Sequence, residues 1–235
     1  MTTPKLNIDI WFYSLTADNI EKYWHSLDIQ ESTQANKFSN SLLKNRYIIA
    51  HGRLREVLAS YLNTPAERLI FDKYPHGKPY LMEYPELSFN LSHTGNFMAV
   101  AVAKCCQLGV DIEQINPRSS FSALVKRCFS EREADYWKHL SESEQIQQFY
   151  QFWTRKEAFV KATGLGISLG LKECEININH PERFSAVPSV CGLANQWHNR
   201  DLYLSESLCA AVVADQAIAD VRICRNYESS SFKTD

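Results

Sequence analysis

The sequence predicts an α+β protein of two structurally similar halves, each a small antiparallel sheet packed with helices. Two observations carry this reading. Long helical stretches flank a run that reads as a three-strand meander over residues 87–113. The stretch Leu202 to Ala214 then echoes Phe89 to Ala103: each has Leu-Ser, a turn, and a strand of small residues and valine. The boundary falls near residue 113. An N-terminal half spans 1–113, a C-terminal half 114–220, and a polar tail, 221–235, frays.

In chain order, residues 6–13 begin with apolar alternation and read as a strand. Residues 17–27 and 31–39 read as polar-rich helices. Residues 41–62 form the clearest long helix, with Leu42, Ile49, Leu54, Leu58 and Leu62 among its apolar positions, before Asn63-Thr64-Pro65 ends it. Tyr74-Pro75-His76-Gly77-Lys78-Pro79 is a turn-rich loop. Strands follow over 87–92, 97–103 and 108–113, with a turn at His93 to Asn96. Pairing as consecutive hairpins would gather His93, Asp111 and Glu113 at one end of the sheet. Residues 121–139 and 144–163 read as two more helices, the second stopped by Gly164 and Gly166.

Composition bounds the function. The chain has 235 residues, enough for a substantial core, and a net charge of −2 gives no global field for nucleic acid. Basic residues must therefore act locally. No apolar run approaches the roughly 20 residues that span a bilayer, and the N-terminus does not read as a signal peptide. Seven cysteines without a Cys-x-x-Cys pair point to reduced thiols rather than a disulfide framework or zinc ribbon. The expected setting is the cytoplasm, without membrane or nucleic-acid partners.

Two stretches carry the chemistry. In the helix over 145–163, Glu157, Lys161 and Gly164 share one stripe, with Trp153 beside it. On an exposed helix such a Glu–Lys pair contributes only about 0.2–0.5 kcal/mol. A second stretch, Gly109-Val110-Asp111-Ile112-Glu113, raises its interest. Strand alternation sends Leu108, Val110 and Ile112 to the core and Asp111 and Glu113 to the other face. Two carboxylates one pleat apart suit either a solvated edge or a divalent cation such as Mg²⁺, with Glu157 as a third donor. Lys78 in a Gly-Lys-Pro loop, His93 at a strand end, and Arg46 and Arg53 seven apart on the long helix add candidate phosphate contacts. Each alone is as well explained as ordinary surface or structure. Together they describe a site for a polyphosphate ligand with Mg²⁺. No P-loop, G-x-G-x-x-G or kinase catalytic-loop signature is present.

The order Gly77-Lys78-Pro79, Phe89-Asn90-Leu91-Ser92-His93, Gly109-Val110-Asp111-Ile112-Glu113 and Phe152-Trp153-Thr154-Arg155-Lys156-Glu157-Ala158-Phe159-Val160-Lys161 resembles the 4′-phosphopantetheinyl transferases of the surfactin-synthetase-activator type. The resemblance covers roughly residues 30–215. It implies a pseudo-twofold α+β monomer that moves the phosphopantetheine arm of coenzyme A to a serine of an apo acyl, peptidyl or aryl carrier protein. The natural carrier, whether of fatty-acid, polyketide or nonribosomal-peptide synthesis, stays open. By position, the resemblance implies Asp111, Glu113 and Glu157 as ligands of Mg²⁺, with Mn²⁺ as a substitute. It makes Glu157 the base and has Lys161 stabilise the departing phosphate. It places Lys78, Pro79, Ser92 and His93 at the nucleotide, with His93 at the 3′-phosphate, Asp111 also beside the coenzyme and Lys156 as a further phosphate contact. The basic residues that hold the 3′-phosphate before the long helix in the family are thin here, with only Lys37, so Arg46, Arg53 or Lys44 stand in. The carrier should dock near 113–163, where Lys126, Arg127 and Arg132 give positive charge; Phe121, Leu124 and Phe129 are either anchors there or core. A coenzyme A- or carrier-binding module without catalysis is the alternative.

Overall fold

The computed structural model describes residues 5–16, 19–117, 121–166 and 169–225. Strand β1 (Leu6–Ser14) is followed by helices α1 (Ile20–Ser26), α2 (Ile29–Ala35) and α3 (Ser41–Ala59). Strands β2 (Phe71–Lys73) and β3 (Pro79–Leu81) bracket the Gly-Lys-Pro loop. Then come β4 (Leu87–Thr94), β5 (Phe97–Lys104) and β6 (Leu108–Gln114). The remainder is α4 (Ser122–Cys128), α5 (Glu131–Lys138), α6 (Glu142–Thr163), β7 (Glu175–Ile176), β8 (Phe184–Ala186), β9 (His198–Asp201), β10 (Leu208–Ala214) and β11 (Ile218–Arg225). The fold is α+β, as expected.

Helix boundaries follow local chemistry. Asp28 and Glu31 form a reciprocal capping box on α2, and Ser130 and Glu133 form one on α5. Asn19 and Asn40 cap α1 and α3 through their side-chain oxygens. Gly164 ends α6 in the left-handed region, at φ 68°, where a Cβ is disfavoured. The single helix expected over 121–139 is two: the chain turns extended at Phe129 and Ser130, and Ser130 restarts it as an N-cap. Phe129 is 1% exposed and Phe121 is 6% exposed, so both are core rather than carrier anchors.

The expected three-strand meander is corrected. β4 and β5 pair as a hairpin, but β6 leaves them and pairs antiparallel with β10. β11 returns in the other direction and pairs parallel with β1. One sheet is thus β11-β1-β5-β4 and the other β6-β10-β9. Of the tail expected from 221 onward, residues 221–225 belong to β11, where Val221 and Ile223 pack on the core between the sheets. The rest of that tail lies outside the described residues.

Alternation in β5 explains the layering. Met98, Val100 and Val102 pack with Ile49, Leu54 and Leu58 of α3. Ala99, Ala101 and Ala103 face the other way and meet Val110, Ile112, Ala210 and Val212 of the second sheet. Small side chains on both inner faces let the sheets stack closely. The far face of the second sheet, with Cys209 and Val213, packs on Phe159 and Ala162 of α6. The order of layers is therefore α3, first sheet, second sheet, α6. Among the described residues, no helix is long and apolar enough to cross a membrane.

Candidate active site

The site begins where β4 meets β6. These strands do not pair through their backbones. Instead the outward polar residues of β4 accept from β6 main-chain N–H groups. Val110 N donates to Asn90 Oδ1 (2.9 Å), Ile112 N to Ser92 Oγ (3.3 Å) and Gln114 N to Thr94 Oγ1 (3.2 Å). Every second residue of β4 thus serves every second residue of β6, a consequence of their shared period of two. The seam satisfies the N–H groups that β10 leaves unused on β6 and fixes its register.

The carboxylates follow from that register. On β6, Gly109, Asp111 and Glu113 face α6. A Cβ on Gly109 would lie 2.0 Å from the carbonyl oxygen of Ala158 and 2.4 Å from the nitrogen of Ala162, so only glycine lets strand and helix approach this far. Two residues of strand advance about 6.7 Å and one turn of helix about 5.4 Å, so side chains across this contact stay nearly in step. Asp111 therefore meets Lys161, whose Nζ donates to Asp111 Oδ1 at 2.6 Å and to Ser92 Oγ at 2.8 Å. Glu113 meets Trp153, whose Nε1 donates to Glu113 Oε1 at 3.2 Å, and Thr94 Oγ1 donates to its other oxygen at 3.3 Å.

Electrostatics records the crowding. Burial pushes the Glu157 carboxyl up, and the charge of Asp111 adds to it against the opposing pull of Lys161. Glu113 rises for the same leading reasons, burial and then Asp111, opposed by the hydrogen bonds of Trp153 and Thr94. Asp111 is 4% exposed, and its Oδ2 is buried with no hydrogen-bond partner. The charge of Asp111 thus reaches both Glu113 and Glu157, and Lys161 opposes it at each. Among the described residues, no set of three His, Cys, Asp or Glu side chains closes into a metal cage.

Cations gather on the α3 side. His93 lies at the end of β4, and its imidazole is pushed down by desolvation and then by the charges of Lys161, His51 and Arg46. Arg46 donates from Nη2 to Asn96 Oδ1 in the β4–β5 turn (2.5 Å), while its Nε is buried without a partner. His93, Arg46, Asp111, Glu113, Glu157 and Lys161 are thus brought to one region.

Other predicted residues go elsewhere. Arg53 is 8% exposed, stacked over Tyr13 and Tyr23 and 3.4 Å from Glu56, two turns along α3 from Arg46. The expected phosphate contact of Lys156 is corrected: its ammonium is fully buried, 2.6 Å from a buried Glu133 and bonded to the carbonyls of Cys128 and Leu171. It lies about 100° round α6 from Glu157 and so faces the core of α4 and α5. The Ser92 hydroxyl donates once, to Asp111, and accepts twice, which uses its full capacity. Lys78 donates to the carbonyls of Leu108 and Ala162, tying the Gly-Lys-Pro loop to β6 and to the C-terminus of α6; burial pulls its pKa down to about 8. Lys78 and Pro79 line a 560 Å³ cleft with Tyr80, Phe89 and Leu165.

Sequence reasoning missed His51, Glu31 and Arg55. Arg55 is fully buried and donates to Asp28 (2.7 Å) and Glu31 (2.7 Å), and Glu31 also holds His51 Nδ1 (2.9 Å). The Asp28-x-x-Glu31 spacing marks a capping box in the sequence, but nothing there shows that α3 reaches across to it.

Two family models match the chain. The family described as the 4′-phosphopantetheinyl transferase superfamily matches residues 107–213, and the 4′-phosphopantetheinyl transferase N-terminal family matches residues 14–105. The 4′-phosphopantetheinyl transferase HetI of Nostoc sp. (strain PCC 7120) is 34% identical over 190 residues, 80% of this chain and 78% of the relative. The 4′-phosphopantetheinyl transferase psf-1 of Bacillus pumilus is 33% identical over 154 residues, 65% of this chain and 64% of its own. The 4′-phosphopantetheinyl transferase Sfp of Bacillus subtilis (strain 168) is 25% identical over 171 residues, 73% of this chain and 75% of its own. With both family matches side by side on the chain and the acidic strand facing the Glu157–Lys161 helix, this chain is an enzyme of the 4′-phosphopantetheinyl transferase superfamily.

Proposed function

We propose that the chain transfers the 4′-phosphopantetheine arm of coenzyme A to a serine hydroxyl of an apo acyl, peptidyl or aryl carrier protein and releases adenosine 3′,5′-bisphosphate. The observation that carries this reading is the meeting of Asp111, Glu113, Glu157 and Lys161 on the facing sides of β6 and α6. The donor set suits a hard divalent cation: three carboxylates coupled through their charges, one buried Asp111 oxygen without a hydrogen-bond partner, and oxygen donors only. Asp111, Glu113 and Glu157 would hold Mg²⁺, or Mn²⁺ in its place. Bound there, the ion would supply charge neutralisation and a Lewis-acid contact at the diphosphate oxygens.

The chain's own groups do the rest. Lys161, anchored by Asp111 and Ser92, presents its ammonium to the diphosphate and stabilises the charge that develops on the leaving side. His93 and Arg46 hold phosphate oxygens, and the unpartnered Arg46 Nε is a donor waiting for an acceptor. Lys78 and Pro79 position the nucleotide part along the adjoining cleft. Glu157, whose carboxyl burial makes more basic, takes the proton of the carrier serine. The serine oxygen bonds to the β-phosphorus, and the bond from that phosphorus to the bridging oxygen breaks. The bridging oxygen leaves with the electron pair on adenosine 3′,5′-bisphosphate.

The carrier docks beside α4, where Lys126 and Arg127 are exposed and offer charge to an acidic partner. We place the enzyme in the cytoplasm as a monomer; its seven cysteines are all free thiols, which accords with a reducing compartment. Asp111→Ala and Glu157→Ala variants test the site. Each should lower carrier labelling by at least about a hundredfold while coenzyme A still binds; full labelling by both would remove these residues from the reaction.

A further inference from the structure

A cavity of 440 Å³ opens on the far flank of α6 from the acidic strand. It is lined by β9, by Arg155 of α6, by the segment Pro181 to Arg183, and by Lys5 and Ile218. β9 is the outer strand of the β6-β10-β9 sheet. Two strand spacings, about 10 Å, separate it from β6. Arg155 and Glu157 are two residues apart on α6, about 200° round the helix, so they point to opposite sides.

One group in this cavity lacks a partner. Asn199 is 4% exposed, and its Nδ2 is buried without a hydrogen bond. It stands opposite Val213 of β10, where an apolar side chain would complete the buried face of the strand. A buried amide nitrogen without an acceptor is rare and costly, so Asn199 marks a place for an oxygen.

The carboxylates of the cavity do not supply it. Both oxygens of Asp201 are taken by Arg155, at 2.8 Å from Nε and 2.6 Å from Nη2. Glu182 is exposed and lies 3.8 Å from His180. Cations are in excess. Lys5, Arg183 and Arg200 are exposed, and among the described residues none of them is bonded to a carboxylate. Arg200 Nη2 reaches only the carbonyl of Ile218, at 3.4 Å. Arg183 is held across the edge of β9, where the Asn199 N–H donates to the Glu182 carbonyl at 3.1 Å. Its Nη1 lies 3.2 Å from His198 Nε2, which accepts from it as a neutral imidazole and leaves Nδ1–H as a further donor. Burial and then the Arg183 charge both push the His198 pKa down, which keeps the ring neutral.

We infer that this cavity is a second ligand site, one that takes a phosphorylated small molecule. The phosphate oxygens accept from Asn199 Nδ2 and meet the guanidinium groups of Arg183 and Arg200, whose planar forks suit phosphate. A lone phosphate would leave most of the volume unfilled, and 440 Å³ is in the range of small-molecule pockets. The body of the ligand occupies the remainder, toward Lys5 and Ile218. None of these residues belongs to the transfer machinery, so the site stands apart from the function proposed above.

The test is a two-dimensional NMR titration of the full-length ¹⁵N-labelled protein with glucose 6-phosphate, inorganic phosphate and glucose. The Asn199 side-chain amide is identified as the pair of signals missing from Asn199→Leu. Glucose 6-phosphate should shift that pair and the backbone amide of Arg200 in a saturable way, inorganic phosphate should do so more weakly, and glucose should leave both unmoved. The exposed double variant Arg183→Gln, Arg200→Gln should bind glucose 6-phosphate at least about tenfold more weakly, read at the Asn199 signal. Asn199→Leu should lose a similar factor, read at the Arg200 amide. Transfer from coenzyme A to a carrier should be unchanged in the double variant. Signals that stay put with both phosphate compounds, equal shifts with glucose, or wild-type affinity in the double variant would each overturn the site. Inorganic phosphate binding as tightly as glucose 6-phosphate would overturn the role given to the rest of the cavity.

Discussion

Gly109 shows how one missing side chain places a site. With Ala158 and Ala162 backbone atoms 2.0 and 2.4 Å from where its Cβ would be, any substitution must push α6 off β6. Gly109→Ala should cost about 1–3 kcal/mol, the range for overpacked cores, read as a fall of several degrees in Tm. Transfer should fall further than stability, because the shift separates Asp111 from Lys161 and a displacement of about 1 Å can cost a hundredfold in rate. A variant with wild-type Tm and rate would mean the helix is not held by this contact. Glu31 gives a pH prediction. Its folded carboxyl is held below the ordinary value, so the folded state binds fewer protons than the unfolded one. Its stabilisation is present above about pH 4.5 and is lost as pH falls through the folded value. Thermal melts from pH 7 to pH 3.5 should therefore show a smaller loss in Glu31→Gln than in wild type, from a lower start at pH 7. Parallel losses would contradict the assignment. At this scale the sequence was informative where pattern was strict: strand alternation put Asp111 and Glu113 on one face, and helix periodicity put Glu157 with Lys161. It was uninformative where long side chains choose their own direction. Arg53 and Lys156 each have a neighbour on the correct face, yet both heads turn into the core, toward Tyr13 and Tyr23 in one case and Glu133 in the other.

Among elements, α6 carries the site and is itself fastened by polar groups. Its buried flank is held by Lys156 and Glu133, both at 0% exposure, with Glu133 also accepting from the N–H groups of Ser130 and Ile176. Removing one partner leaves a buried charge unpaired. Glu133→Ala should destabilise by about 3–5 kcal/mol, while the double variant Glu133→Leu, Lys156→Met should recover most of that loss. A chemical denaturation series reads both, and a double variant as unstable as the single one would count against the argument. The helix extents were largely legible: Gly164 as the stop of α6 and the polar caps of α2 are written in residue type. The split of 121–139 was less so. Ser130 and Glu133 form a capping pattern inside a continuous helical stretch, and only the burial of Phe129 under Phe149 and Phe152 shows why the chain breaks there.

For the whole molecule, long-range pairing decides the architecture. Local signals predicted that β4, β5 and β6 would form consecutive hairpins, and the first turn does. The second, Cys105 to Gln107, instead carries the chain from one sheet to the other, and β11 crosses back to β1. No local residue pattern encodes that choice. It is set by the small inner faces of β5 and β10, which let two sheets stack, and by the polar seam from β4 that satisfies β6 in place of a backbone partner. The predicted convergence of His93 with the acidic strand therefore arises through a seam of side chains rather than a hairpin. That geometry sets three like charges together at the junction of sheet and helix, a burden that a bound divalent cation would relieve.

The central claim is that this junction performs metal-assisted phosphopantetheine transfer. Intact-mass spectrometry of apo acyl, peptidyl and aryl carrier proteins, incubated with the protein, coenzyme A and Mg²⁺, tests it most directly. The account predicts a gain of one phosphopantetheine on the carrier serine, abolished by EDTA and restored by excess Mg²⁺. A gain that persists undiminished in EDTA would contradict the role given to Asp111, Glu113 and Glu157. No gain on any carrier, with coenzyme A still bound, would contradict the transfer itself.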